Sequence, residues 1–273
     1  MNPIFIGKDE DEKPIYLGDT ELETHVHGIG ASRTGKSKLI ECIARQMINN
    51  RQGFCLIDPH GFLYDDLVRW LAYVQPKRDI ILFEPASEDR IVGFNPFHYS
   101  DRRGDLSVLV DRRVQATVKV WGAANSDNTP TLERLLHCLY WAIMEQGYSL
   151  DVARYFLSTQ DRETREHLIS AIRSEMVRNE WNEVTSEKDF RKEILSTKNR
   201  LLFRFLEPRQ VRRTIGLNFN NIDIEDVINN GKILLIFSVT SFNRAILSWF
   251  TRINQIVSNV VLYTTNIKSV ESS

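Results

Sequence analysis

The chain has 273 residues, 42% hydrophobic and 26% charged. That is too apolar for a disordered chain and long enough for one large core or two modest ones. A formal net charge of −1 excludes a polycation that holds nucleic acid with its whole surface, so any such binding needs a local patch. No run approaches the ~18 uninterrupted apolar residues of a membrane span, and Met1–Lys13 has no signal-type apolar core; a soluble, cytoplasmic chain is expected.

In chain order, the acidic run Asp9–Glu12 reads as an exposed turn. Thr24–Ile29 reads as a short strand leading into a glycine loop, Gly30-Ala31-Ser32-Arg33-Thr34-Gly35-Lys36-Ser37. A helix follows over Lys36 to Asn49, with Leu39, Ile40, Ile43, Ala44, Met47 and Ile48 at helical spacing. Phe54 to Ile57 is a buried strand stopped by Asp58-Pro59, Tyr64 to Val74 a helix, and Asp79–Phe83 a strand stopped by Glu84-Pro85. Short strands alternating with helices predict a mostly parallel α/β sheet.

From 102 to 213 no strand is predicted. Apolar residues recur at three and four, as in Leu106, Val110, Val114, Thr117 and Val118, which reads as an all-helical insertion. A turn cluster at Gly122 to Pro130 interrupts it, with Thr131 as the expected cap of a helix Leu132–Glu145. The sheet restarts with a polar-interrupted Ile222-Asp223-Ile224 and a strong strand at Ile233–Phe237; a helix is expected from Ala245 to Leu262, then a frayed tail at Lys268–Ser273. The expected domains are 1–101 and 214–273, two parts of one α/β domain, with 102–213 inserted between them. Cys42, Cys55 and Cys138 read as small buried hydrophobes, and Trp121, Trp141, Trp181 and Trp249 as packing residues.

The glycine loop carries the clearest chemistry. Gly30 and Gly35 permit backbone conformations that let successive N–H groups turn towards phosphate oxygens, and the helix start adds its unpaired amides and positive dipole end. Lys36 supplies a mobile cation for the β- and γ-phosphates, and the Ser37 hydroxyl suits Mg²⁺. All eight residues from Gly30 to Ser37 are therefore candidate nucleotide ligands. Asp58, at the C-terminal end of a strand, is either a Mg²⁺ carboxylate and catalytic partner of Lys36 or simply the residue that ends the strand and opens a turn. His60, in the same loop, reads as a surface histidine.

Between Arg191 and Arg213 eight basic residues face only Glu193 and Glu207. Arg200, Arg204, Arg209, Arg212 and Arg213 are candidate DNA contacts. A solvated helix face with Phe203 and Phe205 buried explains the same pattern, as does an arginine reaching a neighbour's γ-phosphate.

His27-Gly28-Ile29-Gly30 into Gly35-Lys36-Ser37, then Ile57-Asp58-Pro59-His60-Gly61, then Gly93-Phe94-Asn95-Pro96, together resemble the HerA–FtsK superfamily of DNA-pumping motor ATPases. The nearest branch is the cytoplasmic domain of type IV secretion coupling proteins used in conjugation. An arginine-rich Asn199–Gly216 and the strand at Gly231–Phe237 follow in the same order. The resemblance implies a RecA/FtsK-like P-loop NTPase fold, ATP and Mg²⁺ as cofactors, double- or single-stranded DNA as partner, and a homo-hexameric ring. It also implies a membrane-bound or nuclease partner.

Two departures accompany it. The family's membrane-anchoring N-terminus is not seen, and its Walker B strand, ending in Asp-Glu, is expected after Ala245–Leu262 but does not precede Ser273. The expectation is a chain truncated at its C-terminus that binds nucleotide better than it hydrolyses it. Two other readings stay open: a small P-loop kinase or nucleotide switch using Asp58 on the metal, and a non-enzymatic DNA-binding module that keeps its nucleotide site for assembly.

Overall fold

A computed structural model describes residues 2–18, 21, 26, 28–31, 33–58, 60–85, 87, 89, 91–99, 104–120, 129–186, 190–201, 209–237 and 261–263. Two strands, β1 (Ile4–Lys8) and β2 (Pro14–Leu17), precede α1 (Lys36–Asn49), β3 (Phe54–Asp58), α2 (Phe62–Val74) and β4 (Ile80–Phe83). Helices then dominate: α3 (Leu106–Val120), α4 (Thr129–Glu145), α5 (Ala153–Phe156), α6 (Arg162–Ser170), α7 (Glu175–Ser186), α8 (Phe190–Leu201) and α9 (Arg209–Ile215). Last come α10 (Ile224–Asn229), β5 (Ile233–Phe237) and β6 (Val261–Tyr263). The fold is mixed α/β, as the alternating pattern predicts.

The chain divides into two compact units, one of Met1–Glu84, Ile222–Ser241 and Gln255–Ser273, the other of Pro85–Asn221 and Phe242–Asn254. In the first, four strands run in the order β4-β5-β3-β6, and each neighbouring pair is parallel. Leu235 of β5 lies between Leu56 of β3 and Leu82 of β4. All five residues of β3 are buried, which explains its unbroken apolar run: a strand with neighbours on both edges and cover on both faces has no solvent side to alternate towards. Ile43, Met47 and Ile48 of α1 and Leu63, Leu67 and Leu71 of α2 share one core with Leu56 and Leu235. Each fully buried aliphatic side chain there contributes about 1.5–3 kcal/mol.

The hairpin β1–β2 was not foreseen, although Ile4-Phe5-Ile6 and Pro14–Leu17 flank the acidic turn. The Asp9 carboxylate accepts from Asp11 and Lys13 N–H groups, which makes Asp9–Glu12 an exposed turn, as expected. Gln46 fastens the hairpin to α1 by exchanging two hydrogen bonds with the Phe5 backbone, 2.9 and 2.8 Å.

The second unit is helical, built chiefly on α4 against α3, α7 and α8. Its two boundary segments hold each other. Asn221 N–H donates to the Gly93 carbonyl and accepts on Oδ1 from Gly93 N–H, both at 2.8 Å. A Cβ on Gly93 would lie 2.6 Å from the Phe219 ring. This clasp explains why the helical unit reaches out to 85 and 221, where the apolar periodicity suggested 102 and 213.

Several sequence expectations need correction. Val26, Gly28 and Ile29 (77% exposed) lie in the open and form no strand; Thr24, His25 and His27 lie outside the described residues. Thr131 lies inside α4 and does not cap it, because Pro130 is tolerated in a helix's first turn and the helix starts at Thr129. Ile222–Ile224 is no strand: the Asp223 carbonyl accepts from Val227 N–H at 2.9 Å and opens α10. Val261 and Leu262 belong to β6, in register with Cys55 and Leu56, so sheet pairing of a β-branched and aromatic run displaces the expected helix end. A strand therefore does follow β5, though it runs into Thr264 with no Asp-Glu pair. Residues 245–260, 122–128 and the tail 268–273 lie outside the described residues. Cys42 is exposed, whereas Cys55 and Cys138 are buried.

Gly53 immediately precedes β3 where α10 leaves no room: a Cβ there would sit 2.3 Å from the Val227 carbonyl oxygen. Backbone cannot rotate away as a side chain can, so Gly53→Ala should cost about 2–3 kcal/mol, read as a lower urea midpoint; an unchanged midpoint would contradict this packing.

Candidate nucleotide-binding site

Between Gly30 and α1 the chain must reverse and enter a helix within five residues. Among the described residues of this loop two are left-handed, Arg33 with φ 68° and Gly35 with φ 93°. A left-handed conformation costs a residue with a Cβ about 1–2 kcal/mol and glycine almost nothing, which is why glycine stands where the helix begins. Leu39 N–H closes the first turn on the Gly35 carbonyl at 2.9 Å. No described side chain caps this end of α1 and no acid lies in its first turn. Its first amides are therefore open to an anion.

Gly30, Ala31, Arg33, Thr34, Gly35 and Ser37 are all exposed and Lys36 is half-buried; Ser32 lies outside the described residues. The Lys36 ammonium folds back over the loop and donates to the Gly30 and Ala31 carbonyls, each at 2.6 Å. The Thr34 hydroxyl donates to the Ala31 carbonyl at 2.8 Å. Thus the loop, its cation and a free Ser37 hydroxyl come together on one helix start, a donor set that fits phosphate oxygens and a hard cation.

Behind the loop, α1 is braced by charges that sequence reading passed over. Glu41, only 6% exposed, pairs with Lys38 and Arg45 of its own helix, and Lys38 also reaches Asp66 of α2. Hydrogen bonds to Glu41 and then Asp66 hold the Lys38 ammonium above the ordinary lysine value. The i, i+3 and i, i+4 spacing of 38, 41 and 45 was the available signal.

Asp58 is 2% exposed and stands at the C-terminal end of β3. Its Oδ1 accepts from His60 N–H at 3.0 Å, and its Oδ2 from Leu63 and Tyr64 N–H at 2.8 and 3.0 Å. One amide of the loop and two at the start of α2 reach its two oxygens, so the side chain ends the strand, turns the loop and satisfies the helix. This geometry fits the turn reading of Asp58 and bears on that reading alone. Pro59 lies outside the described residues; His60 is exposed. Gly61 is left-handed at φ 84°, and a Cβ on it would be 2.5 Å from the Phe237 ring.

Tyr64 then gathers three strand ends. Its ring stacks on Phe237 at 5.5 Å between centroids, its N–H serves Asp58, and its hydroxyl donates to Glu84 Oε1 at 2.7 Å. Sequence reading used Tyr64 and Glu84 only as element boundaries. Among the described residues no group of three His, Cys, Asp or Glu is placed to hold a metal.

In the helical unit, Arg209 and Arg212 of α9 are exposed and Arg213 is half-buried; Lys198 of α8 is half-buried. Arg200 falls in α8 with its side chain outside the description, and Arg204, Phe203 and Phe205 lie outside the described residues. Asn95 is buried, accepting from Phe97 N–H and donating to the Tyr148 carbonyl. Gly93–Pro96 is thus a structural anchor of that unit. Trp181 is buried, stacked on Phe156, with Nε1 donating to the Cys138 carbonyl; Trp141 is half-buried, and Trp121 and Trp249 lie outside the described residues.

Removing the Asp58 carboxylate strands three amides at a buried helix start. Asp58→Ala should lose about 2–4 kcal/mol, and Asp58→Asn, which keeps one oxygen, less; chemical denaturation of both variants measures it. Equal stability of Asp58→Ala and the native chain would refute the capping role.

No protein-family model matches this sequence, and no curated protein matches it.

Proposed function

We propose that this chain binds ATP with Mg²⁺ through Gly30–Ser37 and serves as a subunit of a DNA-translocating ATPase ring. The observation that supports it most is the turn at Gly35, which delivers a lysine and a serine onto the first turn of an uncapped helix. The amides of that turn and the Lys36 ammonium would neutralise the phosphates. The Ser37 hydroxyl would hold Mg²⁺, which supplies the charge compensation that phosphoryl transfer needs. Asp58 acts at one remove, by fixing the loop at the end of β3. Arg209 and Arg212, exposed on α9, would contact DNA phosphates, and Arg200, Arg204 and Arg213 extend the same basic stretch. The DNA partner, the hexameric ring and the coupling to transport rest on the resemblance carried by Gly30–Ser37, Asp58–Gly61 and Gly93–Pro96.

Titration with a fluorescent ATP analogue tests the nucleotide site. Lys36→Ala removes a charged donor and should weaken binding on the order of 10- to 100-fold; equal binding by Lys36→Ala and the native chain would sink the proposal. Turnover measured with and without double- and single-stranded DNA, and sedimentation with a non-hydrolysable analogue, test the motor. DNA-stimulated turnover in a hexamer is the expected outcome; turnover that requires a small phosphate acceptor would replace it with a kinase.

A further inference from the structure

Helix α2 buries one side in the core, through Leu63, Leu67 and Leu71. The opposite side carries Phe62, Asp66, Arg69 and Tyr73. At 3.6 residues per turn these four fall within about 60° of one another, a single stripe along the helix. An outward helix face is ordinarily polar throughout. Here both ends of the stripe are aromatic and open: Phe62 is 81% exposed and Tyr73 87%. The charges lie between the rings. Asp66 takes the Lys38 ammonium at 3.2 Å and stands 3.7 Å from Arg69 Nη1, while most of the Arg69 side chain is exposed.

The stripe is symmetric about its own middle. Phe62 and Tyr73 are centred on the point between Leu67 and Val68, and so are Asp66 and Arg69. Turned end for end, the order aromatic, acid, base, aromatic sets ring against ring and acid against base.

We propose that this face of α2 docks on the same face of a second copy of this chain, the two helices antiparallel about a two-fold axis. Phe62 then meets Tyr73 of the second copy and Asp66 meets its Arg69, each contact being made twice. A crossing of about 20° keeps all four pairs within reach. The rings supply the affinity, because they bury large apolar area. The charges supply the register: parallel helices would set Asp66 on Asp66 and Arg69 on Arg69. The helix has 13 residues and is about 20 Å long, so the contact is smaller than a standard interface and the dimer is a weak, micromolar one. An isologous contact closes at two copies; it joins pairs of subunits and does not itself build a ring. The contact stands apart from the nucleotide reading.

Sedimentation velocity of the full chain without nucleotide, from about 1 to 100 µM, reads the association. The native chain should pass from monomer to dimer across this range. Asp66→Arg and Arg69→Asp each place two like-charge pairs in the contact and should weaken the dimer at least about tenfold. The double variant restores both pairs and should return to within about threefold of the native chain. Tyr73→Ser should also weaken the dimer about tenfold with an unchanged circular dichroism melt, and it decides the matter if loss of the Lys38 contact unfolds Asp66→Arg. A native chain that stays monomeric would overturn the contact, as would an assembly of any size that Tyr73→Ser leaves unchanged. A double variant no better than the single ones would overturn the antiparallel pairing.

Discussion

Phe54 to Asp58 of β3 and Ile233 to Phe237 of β5 lie side by side in parallel register, although the whole helical unit separates them in sequence. The next strand after β3 in the chain, β4, pairs with β5 and not with β3. With strands spaced about 4.8 Å apart, β3 and β4 stand roughly 10 Å from one another with β5 filling the gap. The first 84 residues therefore cannot complete the sheet by themselves. At the C-terminal edge of the strands, the Phe237 ring that stacks on Tyr64 and crowds Gly61 comes from β5, a segment that follows the helices in sequence.

This dependence explains the clasp between Gly93 and Asn221. A chain that leaves a sheet at one strand and must return between two others gains from having both ends of the excursion fixed to each other. Asn221 does so with two hydrogen bonds to a single residue, and Asn95 anchors the outgoing segment through Tyr148. The run Gly93-Phe94-Asn95-Pro96 thus has a mechanical explanation within the helical unit. Loop-closure entropy grows slowly with loop length, so one such closure serves a long insertion well.

Asp58 shows how one residue type supports two interpretations until its neighbours are known. A buried carboxylate at a strand end suits a metal, and it equally suits a helix start short of acceptors. The three amides of His60, Leu63 and Tyr64 show the second use. Lys36 is the complementary case: its identity suggests a phosphate ligand, while its hydrogen-bond partners among the described residues are the Gly30 and Ala31 carbonyls of its own loop.

By itself the sequence determined the elements whose signals are local. The helix from Lys36 to Asn49 and the strands at Phe54 and Ile233 follow from periodicity and unbroken apolar runs, and the turn at Gly35 from the one residue type that enters the left-handed region without cost. Tertiary structure decided the rest. Strand order, the placement of β5 between β3 and β4 and the strand at Val261–Tyr263 all depend on partners far away in the chain. Short segments have too little intrinsic preference to choose helix or strand; a neighbouring strand edge or a buried face supplies the missing free energy. Which donors reach the Asp58 and Ala31 oxygens was likewise a matter of position in space, to which residue identity alone is blind.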